Sequence, residues 1–367
     1  MISIQSYIKD TKYILNPKVK YFSIRWFMEF DNQVVNLSHK ILSEKFGLSL
    51  KNISKFLSLL AMENVLVVKR NPRGSDAAYR YQWIFKQSAT SKSKRRLANW
   101  SKAKRVETED YNSGFMRRFL STPKAREISS ENLLMLALLS KCNENGLVEN
   151  LGTSKIASGM GSSKDTVRKY LDLLIETNEL ILVCSGGTGS KFLGVKNSVY
   201  LIREEEIFGS SYFEMSDVLK TIEGSVLNKF QNKLGQLKFG DHFDSMLIDD
   251  FLCDLEKPSI QTRFLYEFWC HASNFLSEKY KAMLTSGITY RKEQVYSNYK
   301  DWRLRDKLFS PITSKNRCED TLNATVKIFH DLALDSLVML WERDFLLNTN
   351  PILIFPNGYI LCKNYPL

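Results

Sequence analysis

No apolar run in the 367 residues approaches the roughly 18 positions that a membrane-crossing helix needs. The opening segment Met1–Asp10 also lacks the grammar of a signal peptide, so a soluble, cytoplasmic chain is expected. The six cysteines (Cys142, Cys184, Cys253, Cys270, Cys318, Cys362) are scattered and contain no C-x-x-C pair. They read as reduced, mostly buried thiols rather than a disulfide framework or a zinc site. The four histidines, His39, His242, His271 and His330, never form H-x-H, H-x-x-R or H-E-x-x-H. That argues against nicking, recombinase and zinc-protease chemistry. Ser185–Phe192 is too poor a match for a phosphate loop: Ser190 stands where glycine is needed, and Phe192 where a magnesium-binding hydroxyl is needed. A flexible glycine-rich turn is the better reading. Cys270-His271 has no second ligand pair, and reads as core or surface. Asp249-Asp250, Asp254 and Glu256-Lys257 lack the strand-borne spacing of a metal-dependent nuclease, and read as a solvated acidic helix end. With no catalytic constellation, no enzyme activity, cofactor or metal is expected.

What is present is a normal globular mixture, 44% hydrophobic and 25% charged, long enough for two or three domains. Acidic groups fall short of basic ones, 40 against 52, which leaves a net charge of +12. The imbalance sits at the front: residues 1–85 carry about +7 and residues 86–126 about +9, whereas residues 204–367 carry about −4. An anionic partner contacting the first third of the chain follows. The densest run is Lys92–Arg96, with Lys94, Arg95 and Arg96, followed by Lys102, Lys104 and Arg105 around Trp100. It reads as a linker with room for one short helix, either a solvated connector or an arm that tracks phosphates.

Two segments align without a gap. Leu42–Ser49, followed by Ile53, Phe56, Leu57, Leu60, Asn64 and Leu66–Val68, matches Ile156–Ser163, followed by Val167, Tyr170, Leu171, Leu174, Asn178 and Leu180–Leu182. About eight of 27 aligned positions are identical, which marks a duplicated module. Each copy has a short amphipathic helix ending at a glycine, Gly47 or Gly161, where positive φ permits a sharp turn. Ser49 or Ser163 is then placed to cap the next helix, and Ser162-x-x-Asp165 adds a capping-box pattern. The apolar stripe of that second helix leaves one face free. In the first copy the free face carries Lys51, Asn52, Ser54 and Lys55, and in the second Lys164, Asp165, Thr166, Arg168 and Lys169. Such side chains hydrogen-bond base edges and phosphates from a major groove. A strand, a glycine-containing turn and a second strand follow each time: Val65–Arg70 and Tyr79–Phe85, then Leu180–Cys184 and Ser198–Ile202. Earlier helices are expected at Tyr21–Phe30 and Ser130–Lys141.

Both modules resemble the winged helix-turn-helix superfamily, over roughly residues 20–86 and 128–203. The resemblance implies that the helices starting near Ser49 and Ser163 read double-stranded DNA, helped by wing residues. In the first wing these are Arg70 and Arg73, beside Lys69 and Arg80, and in the second Lys191. The tandem arrangement is also similar to plasmid-type replication initiators, by architecture alone. Two modules would raise affinity by effective concentration, provided the linker spans the half-sites.

The expected fold class is mainly α with small β-hairpin wings, an α+β class. Four regions are expected: residues 1–86 as the first winged helix, 87–127 as a basic linker, 128–203 as the second winged helix, and 204–367 as a mostly helical domain. In the last, Phe264, Leu265, Phe268, Trp269, Phe275 and Leu276 form one apolar helical face, and Leu322 through Trp341 another. A terminal hairpin is expected at Ile352–Phe355 and Tyr359–Cys362, turned by Pro356-Asn357-Gly358. Its acidity suits dimerisation or a protein partner better than DNA, with a ligand pocket as the other reading. The leading functional expectation is a cytoplasmic, nucleoid-associated, sequence-specific DNA-binding protein that regulates transcription. A replication initiator of a mobile element comes next, and a protein scaffold third.

Overall fold

The computed structural model describes residues 16–30, 34–63, 65–70, 79–83, 112, 114–149, 151–189, 192–203, 205–208, 211–273, 308–309, 316–342, 351–356 and 359–363. It is mainly helical with small antiparallel sheets. The chain divides into two compact units, Met1–Ile181 with Tyr200–Gly209, and Leu182–Val199 with Ser210–Leu367.

The same succession of elements occurs twice, the first time wholly within the first unit. The first run is α1 (Pro17–Phe30), β1 (Val35–Leu37), α2 (His39–Phe46), α3 (Leu50–Met62), β2 (Leu66–Arg70) and β3 (Tyr79–Trp83). The second is α4 (Ser130–Leu139), β4 (Leu147–Val148), α5 (Thr153–Met160), α6 (Lys164–Glu176), β5 (Leu180–Cys184) and, after an intervening hairpin, β8 (Val199–Ile202). The sheets share one connectivity, β1-β3-β2 and β4-β8-β5. In the first, Val35 and Val68 both pair with Tyr81 on the central strand. A short helix, α7 (Glu205–Phe208), follows β8.

Each turn between paired helices forms for the same local reason. Gly47 closes α2 at φ 62° and Gly161 closes α5 at φ 72°, the left-handed region that costs a residue with a Cβ about 1–2 kcal/mol. The next helix then leaves at a new angle, and its apolar stripe turns inward: Ile53, Phe56, Leu57 and Leu60 on α3, and Val167, Leu171 and Leu174 on α6.

Helix α1 is buried on nearly every side, with Val19, Lys20, Tyr21, Phe22, Ser23, Ile24, Trp26 and Phe27 all inside. One side meets its own module, where Phe22 lies 4.9 Å edge-on to Phe46 and Trp26 stacks on Phe46 at 5.9 Å. The other side meets the second module, packing on α4, which is itself buried on all faces. Three polar side chains of α1 satisfy backbone carbonyls beyond the first module, one in the second module and two in the segment before it. Lys20 Nζ donates to the Gly159 oxygen, Tyr21 Oη to Ala125 at 2.7 Å and Arg25 Nη1 to Leu120 at 2.7 Å. A single apolar core therefore runs from Val19 to Ile207. The two modules share one core. Within the stretch expected as linker, residues 114–121 are helical, and Phe115, Met116, Phe119 and Leu120 are buried in that core. Averaging the charge of residues 86–126 hides this apolar spacing.

The second unit is built on α8 (Asp217–Leu237), α9 (Ser245–Leu255), α10 (Pro258–Ser273) and α11 (Asn316–Glu342). A sheet of order β10-β11-β9 joins the terminal hairpin, β10 (Pro351–Phe355) and β11 (Tyr359–Lys363), to the earlier β9 (Ser211–Met215). Its core is aromatic, with Phe329 in ring contact with Phe230, Phe264 and Phe268, and Phe264 with Phe230. Trp269 Nε1 donates to the Glu223 carboxylate at 2.8 Å, and His271 shares a 3.0 Å hydrogen bond with His330. Phe275 and Leu276 lie outside the described residues.

Residues 182–199 group with this second unit, so the segment expected as a flexible wing of the module at 128–203 is anchored elsewhere. Strands β6 (Gly187–Thr188) and β7 (Val195–Lys196) form a hairpin whose end carries the fully buried Phe192. Its ring lies within 5.5–6.1 Å of Phe230, Phe251, Phe264 and Phe309. The Phe192 amide donates to Asp254 Oδ2 at 3.1 Å, and Arg263 Nη1 donates to the Asn197 carbonyl at 3.2 Å. Asp254 is therefore a buried anchor and not part of a solvated acidic end, while Asp249 and Asp250 are exposed. Cys142 and Cys184 are buried, Cys270 is half-buried and Cys253 is exposed.

Candidate nucleic-acid interface

The candidate surface is assembled from the outer faces of α3 and α6. Ser49 caps α3 by accepting the Asn52 amide at 3.3 Å, which fixes the helix start at Leu50. Lys51, Asn52, Ser54 and Lys55 then all face solvent. The helix contains no acidic residue, so its outer face is a cationic, hydrogen-bonding strip.

In the second module Ser163 accepts the Thr166 amide at 3.1 Å, and the two hydroxyls lie 2.8 Å apart. This makes Ser163 the cap, so the Ser162-x-x-Asp165 box is not the one used. Asp165 instead turns to Arg168, whose Nη1 sits 3.0 Å from its carboxylate. Both groups are well exposed, at 65% and 89%, and a pair in water contributes about 0–1 kcal/mol, so Arg168 is easily recruited by a phosphate or a guanine edge. Lys164 and Lys169 are exposed and Thr166 is half-buried. Asp172 and Glu176 are exposed on the same helix, which makes its far end less cationic than α3.

The first sheet adds a cluster that sequence reasoning placed only in part. Arg80 on the central strand is flanked in register by Asn36 on one side and Lys69 on the other, and all three are exposed. Like charges directly opposite each other repel, and an anion between Lys69 and Arg80 would relieve that cost. Asn36 was missed because β1 is three residues long and too short for an alternation signal.

The other sites named from the sequence divide as follows. Arg70 lies at the end of β2. Arg73, Lys94, Arg95, Arg96 and Lys191 lie outside the described residues. Phe192, next in sequence after Lys191, is held in the second unit's core.

Among the described residues no group of three or more His, Cys, Asp and Glu is placed to hold a metal, and no helix is long and apolar enough to cross a membrane. Compared with known protein families and curated proteins, the chain matches none.

Proposed function

We propose that the chain is a sequence-specific, double-stranded DNA-binding protein with two winged-helix modules, acting as a transcriptional regulator. The observation that carries this reading is the pair of capped helices α3 and α6. Each follows a left-handed glycine turn, buries an apolar stripe and exposes a hydrogen-bonding face. The repeated order helix, strand, helix, helix, strand, strand supports the assignment of both modules. The Lys69, Arg80 and Asn36 cluster supplies phosphate contacts beside α3, and the net charge of +12 supplies the salt-dependent attraction.

The division of labour follows from the chemistry. Base edges are read by α3 and α6, whereas sheet cations set register and affinity without reading sequence. Because the modules share a core, the distance between the two readings is a property of the fold. Selection of the purified full chain on randomised duplex DNA at about 150 mM salt tests the proposal, since non-specific attraction is partly screened there. A two-part motif is expected. Retention without enrichment of any sequence, or no retention, would overturn it.

A further inference from the structure

Leu50 occupies the first position of α3 and is 54% exposed, beside Lys51, Asn52, Ser54 and Lys55, which are all polar. It is not the apolar residue that fixes the entry to this helix. That place belongs to Leu48, which lies just before the cap, packs on the core and stands where it can cover Ile53. The first turn of a groove-reading helix is the part that reaches base edges, and an aliphatic group there has one base-specific partner, the 5-methyl group of thymine.

The duplication isolates what has changed. The stripe positions stay apolar, Ile53 with Val167, Phe56 with Tyr170, Leu57 with Leu171 and Leu60 with Leu174. Four outward positions differ and one is kept: Leu50 faces Lys164 in the alignment, Lys51 faces Asp165, Asn52 faces Thr166 and Ser54 faces Arg168, while Lys55 faces Lys169. The framework is shared and the reading chemistry is not. Identical half-sites could not satisfy both helices.

We propose that Leu50 is a specificity-determining residue that packs on a thymine methyl group in the half-site under α3, and that the DNA target is directional, built from two unlike half-sites. This rests on the reading of α3 as a DNA-reading helix. Arg168 and Lys164 give the other half-site a preference for acceptor-rich edges such as guanine.

The test uses the purified full chain and the duplex recovered by selection. Each thymine is replaced singly by deoxyuridine, which removes only the methyl group, and affinity is measured for the wild type and for Leu50→Ala. For the wild type, one position in the α3 half-site is expected to lose about fourfold, the equivalent of one buried methyl-sized group. In Leu50→Ala that position is expected to become indifferent to the change. Circular dichroism checks that the variant is folded. Specific binding with no thymine sensitive to demethylation, or with the sensitivity kept in Leu50→Ala, overturns the role of Leu50 and leaves the DNA reading standing. A recovered site with two identical half-sites overturns the directional target. Absence of any enriched sequence overturns both the reading and the inference built on it.

Discussion

Replacing Phe192 with alanine separates two accounts of the second hairpin, as part of a folded core or as a free wing. The side chain is fully buried and touches four phenylalanine rings, so truncation loses its transfer energy and leaves a cavity. Such losses are about 3–5 kcal/mol for a buried phenylalanine. The hydrogen bonds that the Phe192 amide donates to Asp254 and the Leu193 amide to the Leu308 carbonyl do not need the ring, so the backbone stays docked and the cost is that of the ring. Urea unfolding followed through Trp269, which is buried in the same core, reads the change. Phe192→Leu keeps most of the apolar volume and should recover the larger part of the loss. Affinity for DNA should move less than twofold under conditions where the variant is folded. A loss below about 1 kcal/mol would refute the anchoring role, because an exposed tip costs little to truncate.

Other outcomes follow from the first unit. Burial lowers the pKa of Lys20 to about 8, so between pH 8 and the unfolded value near 10.5 this lysine holds more of its proton in the unfolded chain, and its contribution to stability rises with pH. Lys20 alone contributes a rise of about 2 kcal/mol between pH 7.5 and 9.5, opposed in the same window by the buried Cys142 and Cys184 thiols, whose pKa values burial pushes up. The difference between wild type and Lys20→Met in urea titrations at the two pH values therefore isolates it. Above pH 10 the buried Tyr21 and Tyr81 phenols, whose pKa values burial pushes up, act in the opposite direction. On DNA, Lys51→Ala or Arg168→Ala should lower specific affinity more than non-specific affinity, by about 1–3 kcal/mol at the base pair concerned. Neutralising Arg95 and Arg96 should weaken both about equally and flatten the salt slope; equal behaviour of the two kinds of variant would refute this division.

Much of the first unit was legible because its signals are local. The stripes of α3 and α6 have the helical period, and Gly47 and Gly161 sit where left-handed turns occur. The strands after each helix fall within a residue or two of where the alternation places them. What escaped is tertiary. Nothing in the run Val35–Leu37 announces a strand until Tyr81 pairs with it. Lys20 and Arg25 look like solvated helix residues, yet they satisfy carbonyls far along the chain, at Gly159 of the second module and at Leu120 of the segment before it. The glycines around Ser185–Phe192 signal a turn, and only the aromatic core of the second unit makes Phe192 an anchor. The linker reading failed over residues 114–121 because a charge count ignores the spacing of Phe115, Met116, Phe119 and Leu120.

The central claim is that one rigid body reads DNA through two helices. The most direct measurement is equilibrium binding, by fluorescence anisotropy, of the full chain to its selected duplex with base pairs inserted between the half-sites. Because α1 and α4 share a core, inserting five pairs, about half a helical turn, should lower affinity more than tenfold, towards that of a single half-site. Affinity that stays level as the spacing grows would contradict the account, showing either that the modules move independently or that only one of them touches the duplex.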